Sequence, residues 1–140
     1  MSDSSLISST ILSNNKTVRT HKIDTITIHH AAAAKVSAEA IGREFQKESR
    51  QASSNYGIGY NGEIALYVPE DYRAWTSGNR TNDNRAVTIE VANSTSSPTW
   101  EISEKSFNSL IYLCADICKR NNIKRLMWRG DKSLVGKIDV

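Results

Sequence analysis

The feature that most constrains this chain is a change of period within one short stretch. In "HKIDTITIHH", residues 21–30, Ile23, Ile26 and Ile28 are interleaved with polar or small residues, and from Ser37 the pattern becomes "SAEAIGREFQKESRQ", with Ala38, Ile41 and Phe45 at helical spacing. Side chains of a strand alternate between two faces, whereas three- and four-residue spacing gathers them on one side of a helix. The stretch therefore predicts a strand followed by a helix, with Ser37 as its cap. The same alternation puts His30 in phase with the isoleucines and His29 in the other phase, so two adjacent histidines must face opposite sides.

The rest of the chain continues this order. "NYGIGYNGEIALYV" predicts two short strands joined at Asn61-Gly62, a dipeptide suited to a type I′ turn. Pro69 and the polar residues to Asn84 predict a long loop, closed by "RAVTIEVAN", a strand rich in β-branched residues. After the turn residues of "NSTSSPTW", Phe107, Leu110, Ile111, Cys114, Ile117 and Cys118 predict a helix starting near Ser103. Strands and helices in this sequence imply an α/β fold, a central mixed β-sheet flanked by helices. With 140 residues the chain has room for one domain. Residues 1–20 read as a polar N-terminal extension and residues 21–140 as the domain proper.

Composition excludes several classes of function. No apolar run approaches the roughly 18 residues that span a bilayer, which argues against membrane insertion. The opening "MSDSSLISSTILSNNK" lacks the basic start, continuous apolar centre and cleavage site of a secretory signal. The net charge of +3 owes much to Lys119, Arg120, Lys124, Arg125, Arg129 and Lys132. No aromatic interleaving or nucleic-acid motif accompanies them, so they read as a solvated helix end, with no nucleic-acid partner expected. Cys114 and Cys118, the only cysteines, share one face of the last helix and read as core thiols rather than a disulfide or metal pair.

Three polar residues sit in or at the end of predicted strands: His29, Tyr56 and Glu90. A neutral imidazole is a good metal ligand, a carboxylate can take a proton from water, and a phenol can donate to an oxygen gaining charge. Each can equally be a satisfied structural group, and spacing alone leaves both readings open.

Four segments, in order, resemble the zinc-dependent N-acetylmuramoyl-L-alanine amidases of the type 2 family, which share their fold with peptidoglycan recognition proteins. "ITIHHAAA" is similar to the strand-ending His-His-Thr-Ala motif, and "SSNYGIGYNGEIALYVPE" to the Ser-x-Tyr or His-Tyr segment and its hairpin. "RAWTSGN" is similar to the Ala-Trp-His-Ala-Gly loop, and "NDNRAVTIEVAN" to the Asn-x-x-Ser-Ile-Gly-Ile-Glu strand. The resemblance runs from about Ile23 to Trp128, and its tone is that of phage and prophage endolysins of Gram-positive hosts.

The resemblance implies that His29 is a zinc ligand, Glu90 the general base and Tyr56 a hydrogen-bond donor to the metal-bound water or the oxyanion. It implies that Trp75, Asn84 and Arg85 shape a peptide groove, with His30 beside the site. The activity implied is cleavage of the amide between N-acetylmuramic acid and L-alanine in bacterial peptidoglycan. The protein would collect in the host cytoplasm without a signal peptide and act on the wall after release. A muropeptide-binding module of the same fold without catalysis is the alternative; the oligomeric state is not implied. Two departures stand out. Thr76 follows Trp75 where the family has His, and the His-x-Asp and Cys-Pro-Gly segments that complete the zinc site do not occur by Val140. The remaining Zn2+ ligands are therefore expected beyond Val140, unless the ending has been lost altogether.

Overall fold

The computed structural model describes residues 2–128 and 130–134. In chain order the elements are β1 (Ser9–Thr10), β2 (Lys16–Val18), β3 (Thr25–Ala34), α1 (Ala38–Gln46), β4 (Tyr56–Ile58), β5 (Ile64–Leu66), β6 (Tyr72–Ala74), α2 (Arg80–Arg85), β7 (Ala86–Asn93) and α3 (Glu104–Arg120). Five strands form one mixed sheet in the order β1-β5-β4-β7-β3. β3, β7 and β4 run parallel, β5 is antiparallel to β4, and β1 is parallel to β5. β2 and β6 form a separate antiparallel ribbon. The expected mixed sheet with flanking helices is thus the fold.

The sheet has an apolar layer on each side. Tyr56, Ile58, Ile64, Leu66, Val87, Ile89 and Val91 pack with Leu113 and Ile117 of α3. Ala65, Tyr67 and Ala92 pack on the other side with Ala38, Ile41 and Phe45 of α1. Both helices start where the sequence places them: the Ser37 hydroxyl accepts from Ala40 N at 3.1 Å, and the Ser103 hydroxyl from Ser106 N at 3.1 Å. The stripe of α3 is shifted from the expected one. Phe107 and Ile111 are about half exposed, while Leu113 is sealed. Cys114 and Cys118 are free, half-buried thiols, and burial pushes the Cys114 pKa up to about 11.

Three further expectations are corrected. The polar opening is packed into the domain, because its backbone bonds to the sheet: Ser8 N donates to Ile64 O at 2.8 Å, Ile11 N to Leu66 O at 2.9 Å and Ser13 N to Tyr67 O at 2.9 Å. At the hairpin Gly62 alone has positive φ, +84°, and its N–H donates to Gly59 O at 2.9 Å, giving a three-residue loop instead of a type I′ turn. The region from Pro69 to Asn84 contains β6 and α2. It is organised by Arg19, whose buried guanidinium donates to the carbonyls of Glu70, Tyr72, Asp83, Asn84 and Ala86. Of the basic cluster, Arg120 is committed to ion pairs with Glu70 and Asp116, and Arg129 lies outside the described residues.

Candidate active site

β7 is an interior strand between β4 and β3, and every one of its residues is buried except Glu90. A sealed strand that keeps one carboxylate open is the first mark of a site. In register, His29 of β3 lies opposite Glu90 of β7, and both share the α1 side of the sheet with Ala92, two residues on. His29 Nδ1 approaches Glu90 Oε1 to 3.6 Å, with side chains 38% and 13% exposed. The Glu90 carboxylate holds the His29 imidazole above its ordinary pKa, burial acts in the opposite direction, and Asp83 adds a smaller pull upward.

The alanines after the histidines also have a role. Between His30 and Ala34 the pairing shifts, four steps on β3 matching two on β7, and Ala32 takes a φ of +51°. Small side chains suit such a bulge, which interrupts the ladder just past the two histidines before it resumes at Ala34.

A polar floor extends from the pair towards the start of the strands. Asn82 Nδ2 donates to Thr27 Oγ1 at 3.0 Å, and Thr76 Oγ1 lies 2.8 Å from Thr88 Oγ1 while donating to Ser53 O at 2.6 Å. Buried Asp83 fastens this loop, accepting from Thr76 N at 3.0 Å, Ser77 N at 3.1 Å and the Ser77 hydroxyl at 2.6 Å. The sequence reading missed Asp83 and Thr88. No local signal marks them, since their role arises only when the 74–79 loop folds over β7.

The other expected site residues lie elsewhere. Tyr56 pairs in register with Ile89, one position out of phase with Glu90, so its side chain enters the α3 core. Its hydroxyl donates to Glu70 Oε1 at 2.6 Å and accepts from Ser4 N at 2.8 Å, and burial together with Glu70 raises its pKa. Tyr56 therefore does not reach the His29–Glu90 pair. His30 faces away from His29, 3.3 Å from Asn93 Oδ1 and with its ring 5.6 Å from that of Trp100. Asn84 is tied to Thr20, accepting from its N–H at 2.9 Å and donating to its hydroxyl at 3.0 Å. Arg85 pairs with Asp24 at 2.9 Å and lines a groove with Ile26 and Ile28, on the opposite side of β3 from His29. Trp75 stays near the loop, its indole N–H donating to Thr17 Oγ1 at 2.9 Å.

A catalytic zinc takes three protein ligands and leaves one position open. Among the described residues no three His, Cys, Asp or Glu side chains gather to hold a metal. The donors present, one imidazole beside one carboxylate, do not make up such a set. What the pair can do by itself is move a proton: the carboxylate as acceptor, with the imidazole fixed next to it.

A sequence profile described as N-acetylmuramoyl-L-alanine amidase matches residues 19–136. Among curated proteins no match is found. The structure is similar to a selenomethionine derivative of AmpD, with 16% identity over 85% of this chain and 77% of that one and a TM-score of 0.70. It is also similar to the endolysin N-acetylmuramoyl-L-alanine amidase LysCS of Clostridium intestinale, at 19% identity over 88% and 82% of the two chains and a TM-score of 0.61. Drosophila peptidoglycan recognition protein SA aligns at 15% identity over 83% and 75%, with a TM-score of 0.62. At these identities the likeness describes the fold. Among the described residues no helix is long and apolar enough to cross a membrane.

Proposed function

We propose, for a chain that belongs to the N-acetylmuramoyl-L-alanine amidase family, that it hydrolyses the amide between the lactyl group of N-acetylmuramic acid and the first stem residue of peptidoglycan. The observation that carries the reading is the approach of His29 to Glu90 at 3.6 Å on the one open position of β7. In this reading Glu90 is the general base. It takes a proton from a water poised over the sheet as that water attacks the amide carbon, and returns it to the departing alanine nitrogen. His29 fixes the carboxylate's direction from β3, and the Asp83-fastened loop at 74–79 borders the bound peptide. The family relationship implies zinc with His29 among its ligands. The described residues do not complete that set.

Similarity to endolysins supports placing this activity in phage-type lysis, with the protein reaching the wall after release from the host cytoplasm. A second reading, muropeptide binding without cleavage, draws support from the incomplete donor set. One assay separates them. Purified cell walls treated with the protein should release fragments bearing new amino-terminal alanine, and release should stop in Glu90→Gln and in His29→Ala. Retention on walls with no new amino termini in any metal condition would favour the binding module and end the amidase reading.

A further inference from the structure

The segment "NYGIGY" places two glycines, Gly57 and Gly59, in and just after β4, both facing α1 because Tyr56 and Ile58 fill the α3 core. Each glycine leaves a slot that a neighbouring side chain occupies. A Cβ at Gly57 would overlap the hydroxyl and ring of Tyr67, and one at Gly59 would overlap Glu63 Oε1. Both intruders grip the first residue of α1: the Tyr67 hydroxyl donates to Ala38 O, and Glu63 Oε1 accepts from Ala38 N at 2.9 Å.

Register shows what lies beside the first slot. Gly57 is the direct partner of Glu90 on the neighbouring strand, and adjacent strands are about 4.8 Å apart. Tyr67, fully buried, thus occupies the position a side chain would take next to Glu90, on the flank away from His29. Burial raises its pKa, with Glu63 and Glu90 adding to the effect, so the phenol keeps its proton and remains a donor to Ala38.

We propose that Tyr67 is a positioning residue for Glu90: its phenol, seated in the slot left by Gly57 and held there by its hydrogen bond to the first residue of α1, closes the β4 flank of the carboxylate. His29 then bounds the other flank, and Glu90 is left open only outward. The inference rests on the reading of Glu90 as base, yet its structural content can be tested separately.

The substitution is Tyr67→Phe, which keeps the ring against Phe45 and removes only the hydroxyl. In protein labelled with ¹³C at glutamate carboxyls, the Glu90 resonance should move while that of exposed Glu101 stays. On cell walls kcat should fall about tenfold with KM within about twofold, the signature of a misplaced reacting group. Ile117→Val, which loosens the apolar layer on the α3 side of the sheet, away from the slot, is the control. It should lower Tm without moving the Glu90 resonance. A folded Tyr67→Phe protein with an unmoved Glu90 resonance would overturn the proposal, whatever its activity. Wild-type protein that cleaves no wall would overturn the amidase reading, while the resonance would still decide the place of Tyr67.

Discussion

Two carboxylates on opposite sides of the sheet, Glu70 and Glu90, show how this molecule separates structural from chemical polarity. Glu70 is 1% exposed and saturated: Arg120 donates to both its oxygens at 2.7 and 2.9 Å, and the Tyr56 hydroxyl donates at 2.6 Å. Glu90 approaches His29 at 3.6 Å and keeps an open side. A buried carboxylate whose acceptor capacity is filled fixes architecture, whereas one with capacity to spare can accept a proton or a ligand. The Glu70 network joins the C-terminal end of α3 to the opening residues, through Arg120 to Ser2 O and Glu70 N to Asp3. The Glu90 pair bridges the neighbouring strands β3 and β7.

Substitutions at the two carboxylates test this contrast. The largest effect is expected from Glu90→Gln, isosteric but unable to act as base. Wall cleavage should fall about 10²- to 10⁴-fold, with stability within about 0.5 kcal/mol of wild type by urea titration. Glu70→Ala should do the opposite, costing about 2–3 kcal/mol by leaving the Tyr56 hydroxyl without an acceptor and taking two hydrogen bonds from Arg120, with residual kcat of the folded fraction unchanged. Tyr56→Phe should cost about 1–2 kcal/mol and leave cleavage intact, and a large loss of kcat in a stable protein would return Tyr56 to the site.

The smallest effect concerns Asp24, which is partly buried against Arg85. Burial alone would raise its pKa, but hydrogen bonds from Arg85 and Thr25 bring the balance below the ordinary value. A carboxylate with a depressed folded pKa contributes stability above its unfolded pKa, and that contribution vanishes as pH falls through the folded one. The Tm difference between wild type and Asp24→Asn should be constant above about pH 5 and close below about pH 4. Its size should be a few tenths of a kcal/mol, as for a solvent-accessible pair. A difference that grows on acidification would reverse the assignment.

Much of this was legible in the chain. The alternation around Ile26 and Ile28 located β3 and put the two histidines on opposite faces, and Ser37 and Ser103 marked both long helices, because period and capping act over a few residues. The strand motifs located Glu90. Tyr56 lies on the other side of the sheet from Glu90, because local pattern does not reveal how two strands pair and a one-residue difference of phase turns a side chain to the opposite face. Arg19, Asp83 and Tyr67 carried no local sign, since each acts on groups remote in sequence.

The chain alone fixed the order β3, α1, β4, β5, β7 and α3 and the facing of each residue along its own strand, since these follow from backbone geometry over neighbouring residues, while His29 and Glu90 were marked by resemblance to the family. Only the tertiary structure decided that Glu90 lies opposite His29 and Gly57, that Tyr67 rather than Tyr56 stands next to it, and that the polar opening belongs to the domain. Those facts depend on strand register and long-range hydrogen bonds, which are selected by packing the two apolar layers of the sheet at once.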